Sequence, residues 1–142
     1  VVLDFPDPSN YSVGKLYSTT LYTKVRRLLA PGGKLVVQST SPLLARRSFW
    51  CVVSTLRTSG FTVMPYRVFV PSFADWGFVL AGLESFDRPT RLPPAALASL
   101  DPRTLEHLFD LPADVSEVPV DANRLNNQAL VSYYLREWSR WE

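Results

Sequence analysis

The sequence predicts an α/β fold with parallel strands joined by helices, an antiparallel hairpin at one edge, and a mostly helical C-terminal extension. Three observations carry this. Short β-branched and aliphatic runs, Val1-Val2-Leu3 and Leu35-Val36-Val37, alternate with segments whose apolar residues recur every three or four positions. Two longer strand-like runs, Phe61 to Val70 and Trp76 to Leu83, are separated only by Pro71 to Asp75, a connection short enough to favour an antiparallel pair. After residue 83 the composition changes to proline-punctuated segments. Helical connections between strands imply parallel pairing in a sheet covered on both faces.

Each element follows in turn. Val1 to Leu3 form a strand ending at Asp4, because Phe5-Pro6-Asp7-Pro8-Ser9-Asn10 is dense in turn formers and unable to continue a central strand. Leu16, Tyr17, Leu21, Val25, Leu28 and Leu29 keep helical spacing, which predicts one amphipathic helix over about 15–30, stopped by Pro31-Gly32-Gly33. Lys34 to Thr40 reads as a compact buried strand. Ser41-Pro42 supplies a cap and a first-turn proline for a helix carrying Leu44, Phe49, Trp50, Val53 and Leu56, and Gly60 stands where a helix C-terminus wants a left-handed residue. The hairpin follows. Residues 84–96, with Pro89, Pro93 and Pro94, read as a surface excursion. Asp101-Pro102 opens a short helix through about Phe109, and Leu130, Val131, Tyr134 and Trp138 mark a last helix over about 127–141. Two units result, residues 1–83 and an extension, 84–142, packed on it. The chain opens inside a strand with no initiator Met, so it is expected to be a fragment of a longer protein.

Composition narrows the function classes. The 142 residues are 46% hydrophobic and 20% charged, enough apolar material for a core and unlike a disordered tail. A net charge of +2 is too small to argue for nucleic acid or an anionic membrane surface. The only cysteine is Cys51 and the only histidine His107, which excludes a disulfide framework and a Cys/His zinc site. No metal is expected. No apolar run approaches the roughly 20 residues of a membrane span.

Ligands of open α/β sheets sit beyond the C-terminal ends of strands, where Asp4, Gln38 and the loop after Val70 fall. Asp4 and Asp7 flank a turn there. Two carboxylates at a strand end suit an organic cation or a metal, or else cap the turn and the following helix. The aromatic rings of Tyr11, Tyr17, Phe73 and Trp76 either wall a slot for an alkylammonium group or pack a core. Carboxylates with aromatics select a polyamine over a phosphate. The Pro31-Gly32-Gly33 run ends a helix, where a dinucleotide-binding glycine loop would begin one. His107 has no nucleophile elbow near it, and Cys51, in Phe-Trp-Cys-Val-Val, reads as core.

In order along the chain, Asp4-x-x-Asp7-Pro8, Leu16-Tyr17, Tyr22, Pro31-Gly32-Gly33 and Gln38 resemble the second half of the catalytic domain of spermidine synthases, over roughly residues 1–83. A narrower set, Ser48-Phe49-Trp50-Cys51, Val70-Pro71-Ser72-Phe73, Trp76-Gly77-Phe78 and the stretch from Asn123 to Val131, is similar to bacterial spermidine-synthase-like proteins whose catalytic domain follows a membrane-embedded region. The resemblance implies the C-terminal half of a class I methyltransferase-like Rossmann fold on the cytoplasmic side of a membrane-anchored parent. It implies aminopropyl transfer from decarboxylated S-adenosylmethionine to putrescine or a similar amine, with methylthioadenosine released. Asp4 matches the residue assigned to deprotonate the amine, and Asp7 the residue that binds it. Gln38 matches a strand-end glutamine of its pocket, and Tyr17, Phe73 and Trp76 are expected to line the amine slot beside it. The cosubstrate's ribose and most of its other contacts would come from the first half, so the fragment alone is expected to bind no cosubstrate and to be inactive. Its exposed first strand is expected to favour self-association.

Departures bear on the amine. The family's substrate loop, Pro-Thr-Tyr-Pro-Ser-Gly, is here the shorter Pro71-Ser72-Phe73-Ala74-Asp75-Trp76, without the tyrosine hydroxyl, and the motif's usually small polar middle residues are Phe5 and Pro6. Two other readings stay open: an S-adenosylmethionine-dependent methyltransferase, alike in this half, and a noncatalytic domain that kept the fold.

Overall fold

The computed structural model describes residues 1–72, 74–95, 97 and 100–140. Its elements are β1 (Val2–Leu3), α1 (Tyr11–Gly14), a 3₁₀ turn (Lys15–Tyr17), α2 (Thr19–Leu28), β2 (Lys34–Gln38), α3 (Arg46–Thr58), β3 (Thr62–Val70) and β4 (Ala74–Gly82). They continue with α4 (Pro102–His107), a 3₁₀ turn (Ala113–Val115) and α5 (Ala129–Trp138). The sheet order is β1-β2-β4-β3. β1 pairs parallel to β2, with Val2 opposite Val36, and β4 runs antiparallel to both β2 and β3. The fold is therefore α/β with an antiparallel hairpin at one edge, consistent with the C-terminal half of a Rossmann-like sheet. The C-terminal ends of β1, β2 and β3 and the start of β4 meet along one rim.

Residues 15–30 do not form one helix. The chain turns helical already at Tyr11, where the Asn10 side chain accepts from the N–H groups of Ser12 and Val13. It breaks at Ser18, whose backbone is extended and whose hydroxyl accepts from Leu21 N–H to start α2. The apolar spacing runs through the break because both pieces face one core, with Tyr17 and Tyr22 fully buried. Nor does Ser41-Pro42 begin α3 directly. Ser41 Oγ accepts from Leu44 N–H in a turn over 42–44, and α3 starts at Arg46 without a cap from its own neighbours. Glu137 of α5 supplies that cap instead. Its carboxylate accepts from Arg47 N–H at 2.7 Å and from Ser48 N–H and Oγ at 3.0 and 2.7 Å.

Strand alternation decides which face is covered. Leu35 and Val37 are fully buried, as are Val79 and Ala81 of β4, while Val36, Gln38, Phe78 and Leu80 are only partly covered. The crossovers from β1 to β2 and from β2 to β3 step the same way across the sheet, so right-handed connections place α2 and α3 on one face. Tyr22, Phe49, Trp50, Val53 and Leu56 fill the core there. Cover on both faces, expected from the helical connections, is incomplete among the described residues. On the second face Phe109, just after α4, meets Tyr66, which stacks on Phe78, but Val2 stays 74% exposed.

The segment after β4 packs tightly against the rest. Trp50 Nε1 donates to the Val115 carbonyl and Arg46 Nε to that of Ser116. Asn123 is fully buried: its amide nitrogen donates to the Gly14 carbonyl at 2.8 Å, its amide oxygen accepts from Leu130 N–H, and its own N–H donates to Thr55 Oγ1. A Cβ on Gly14 would lie 2.4 Å from Val131, so α1 and α5 meet backbone to side chain. Among the described residues no helix is long and apolar enough to cross a membrane.

Candidate active site

The site forms at the sheet rim because the turn residues after β1 cannot extend the strand. Asp4 is exposed at the strand end, Asp7 is half-buried and Pro8 buried. Tyr17 holds this loop from below. Its hydroxyl shares a proton between the carbonyls of Phe5 and Pro6, at 3.0 and 3.1 Å, and its ring meets Phe5 edge-on.

On the neighbouring strands, Gln38 ends β2 directly opposite Phe78 of β4. With its amide turned to satisfy both neighbours, Gln38 donates from nitrogen to Asp4 Oδ1 and accepts at oxygen from Trp76 Nε1 at 3.1 Å. A glutamine is suited to this because it presents a donor and an acceptor on one planar group. Gly77 allows the arrangement: a Cβ there would lie 2.5 Å from the Phe49 ring and 2.7 Å from the Thr40 carbonyl, so β4 lies tight on the core and its neighbour Trp76 faces the other way. The Arg67–Asp75 ion pair, 3.1 Å long, bridges β3 and β4 near the hairpin tip.

Together these groups bound a groove of about 440 Å³. Asp4, Asp7 and Gln38 supply its polar groups, and Val2, Val36, Val70, Trp76 and Phe78 its apolar wall. Asp7 Oδ2 accepts from the Tyr134 hydroxyl at 3.0 Å, across from α5. Burial pushes the Asp7 carboxyl above its ordinary 3.8, and the Tyr134 hydrogen bond opposes part of that rise. An apolar trough carrying carboxylates suits a cation with an aliphatic chain.

Of the residues singled out from sequence, Asp4, Asp7, Gln38 and Trp76 come together in this groove. Tyr17 lies under the loop, buried, with its hydroxyl donating to the Phe5 and Pro6 carbonyls and not lining the groove. Tyr11 is 64% exposed on α1. Phe73 lies outside the described residues. His107 is exposed on α4, its Nδ1 3.2 Å from Asp110 Oδ2, and lines a different hollow. Cys51 is fully buried, and burial pushes its thiol up to about 12. Sequence reasoning missed the apolar wall of Val2, Val36 and Phe78, which strand alternation opposite the buried Leu35 and Val37 would have revealed. It also missed Tyr134, read only as a helix-face marker; no local pattern signals a contact 127 residues away in sequence.

A family profile described as "Spermine/spermidine synthase domain" matches residues 1–87. The chain is 49% identical, over 99% of its length, to a polyamine aminopropyltransferase of Leptospira interrogans, of which it covers 28%. It is 45% identical over 96% of its length to polyamine aminopropyltransferase 2 of Ralstonia nicotianae, covering 27% of that protein. It is 40% identical over 97% of its length to the polyamine aminopropyltransferase of Mycobacterium tuberculosis, again covering 27%. The chain thus spans about a quarter of the length of the curated relatives it matches.

Proposed function

The chain belongs to the spermine/spermidine synthase family, and from that premise we propose that it forms the amine-binding side of a polyamine aminopropyltransferase. The observation that carries this reading is the run Trp76–Gln38–Asp4 beside Asp7 on an apolar groove. The amine is putrescine or a similar alkylamine, and the donor is decarboxylated S-adenosylmethionine. The adenosyl part of the donor falls to segments of the protein beyond those that line this groove.

The chemistry then follows from what each group offers. An ammonium has no lone pair, so the attacking nitrogen gives up a proton before it reacts, and that proton passes by way of the exposed Asp4 to solvent water. A carboxylic acid is far stronger than an alkylammonium, so Asp4 acts by orienting and polarising the N–H rather than by holding the proton at rest. Gln38 fixes one Asp4 oxygen and is itself fixed by Trp76, which leaves the other oxygen for the amine. The nitrogen lone pair forms the new C–N bond at the carbon next to the sulfonium. The C–S bond breaks with its electrons going to sulfur, and neutral methylthioadenosine leaves. Asp7 attracts the amine in ground and transition states alike, while the apolar wall takes its methylenes. We also place this reaction on the cytoplasmic side of a membrane-anchored protein, a reading supported by the motif set around Ser48–Cys51 and Asn123–Val131.

The test is product identity. The whole protein, given putrescine and decarboxylated S-adenosylmethionine, should form spermidine and methylthioadenosine in equal amounts, measured by mass spectrometry. Methylated amine with S-adenosylmethionine, and no aminopropylated product, would replace this reading with a methyltransferase.

A further inference from the structure

Asp7 is held by a residue outside the segment that the family profile covers. Tyr134 sits on α5, well beyond residue 87, and donates its hydroxyl to Asp7 Oδ2 at 3.0 Å. α5 has little freedom to move there. Leu130, Val131 and Tyr133 are buried in the core, and Glu137 caps α3 through three hydrogen bonds. The Tyr134 ring also packs against Trp138, with centroids 5.6 Å apart. Asp7 is therefore gripped twice. Tyr17 fixes the loop backbone at Phe5 and Pro6, and Tyr134 fixes the carboxylate itself.

We infer that Tyr134 is a positioning residue for the amine site, so that α5 braces a pocket whose carboxylates and amide all come from the first 38 residues. The inference rests on the amine-site reading of the groove. One oxygen of Asp7 is occupied by Tyr134, which leaves Oδ1 to meet a cation. A donor to one carboxylate oxygen also favours the ionised form, and only the ionised form attracts an ammonium. The titratable groups around Asp7 are Asp4, which shares the groove, Tyr17, beneath the loop, and Tyr134 itself. The Tyr17 hydroxyl donates to the Phe5 and Pro6 carbonyls, so Tyr134 is the one of the three that donates to the carboxylate. Without its hydroxyl, burial would act on Asp7 with less opposition. The carboxylate would then take a proton at higher pH, and amine binding would fail earlier on acidification.

Tyr134→Phe keeps the ring and its packing on Trp138 and removes only the donor. In the whole protein it should raise the amine's apparent KM about tenfold with kcat little changed, as expected for loss of one charge-assisted hydrogen bond. The acid limb of kcat/KM should move to higher pH. In an Asp7→Asn background Tyr134→Phe should add almost nothing, because no carboxylate is left to hold. Wild-type KM and an unmoved acid limb in Tyr134→Phe, with Asp7→Asn impaired, would overturn the inference and leave the function standing. If the wild-type protein transfers no aminopropyl group, the functional reading fails. The inference is then decided by NMR titration of the Asp7 carboxyl carbon: an upward-shifted midpoint in Tyr134→Phe supports the grip, and an unchanged one removes it.

Discussion

At the scale of single residues, the site sets two like groups in unlike surroundings. Asp4 stands exposed and is tied to Gln38, whereas Asp7 is half-buried and tied to Tyr134. The burial of Asp7 has a cost in stability whose sign can be worked out. Its folded-state pKa lies above the ordinary 3.8, so between those two values the folded chain binds more protons than the unfolded one. Stability therefore falls as pH rises through that window, and the deficit is complete above the folded-state value. Asp7→Asn removes the deficit. Its melting temperature relative to wild type should accordingly be higher at about pH 7 than at about pH 3, as thermal melts at both values would show. A pH-independent difference would mean that burial does not burden this carboxylate. A binding group retained at the expense of stability is what a functional site leads one to expect. The two aspartates were legible in the sequence because turn-forming residues directly after a β-branched run place carboxylates at a strand end. Tyr134 was not, because its contact depends on where α5 docks.

At the scale of elements, the helices show why local signals run out. Gly60 does adopt the left-handed backbone, with φ of 86°, that its place after α3 suggested, and Asp101 does cap α4 through Thr104 N–H. Both are decided within a few residues. The break at Ser18 escaped a periodicity argument, since the spacing of Leu16, Tyr17 and Leu21 reports a shared buried face and not an unbroken backbone. The start of α3 escaped capping rules because its cap is Glu137, 89 residues beyond Ser48. That cap carries a prediction. Glu137→Ala would leave the N–H of Arg47 and both donors of Ser48 without their acceptor, in a place where Ser48 is fully buried. The loss should be about 3 kcal/mol, the scale of a lost cap together with buried donors left unpaired. Chemical denaturation would show it as a lower midpoint. Glu137→Gln, which keeps an acceptor oxygen, should lose less. Equal stabilities for all three proteins would show that the cap contributes nothing.

At the scale of the whole molecule, parallel pairing plus an edge hairpin was legible, because β-branched runs and short connections are strong signals, whereas the place of β4 between β2 and β3 was not. Nor was the open part of the second sheet face, since a helical connection does not by itself say which face it covers. β1 is joined to β2 on one side only, and its other edge meets no strand among the described residues, with Val1 and Val2 59% and 74% exposed. Unpaired strand edges recruit other strands. The 142-residue chain alone should therefore associate as its concentration rises, with sedimentation velocity as the measure; a strict monomer at high concentration would contradict this. The central claim concerns how the groove divides its work, and steady-state kinetics of two variants of the whole protein with several diamines test it most directly. Asp4→Asn should lower kcat about 100- to 10,000-fold, the range of general-base contributions, with the amine's KM near wild type. Asp7→Asn should raise that KM and leave kcat nearly unchanged, because it removes a contact shared by ground and transition states. Wild-type turnover in Asp4→Asn would contradict the account and leave Asp4 as a turn residue alone.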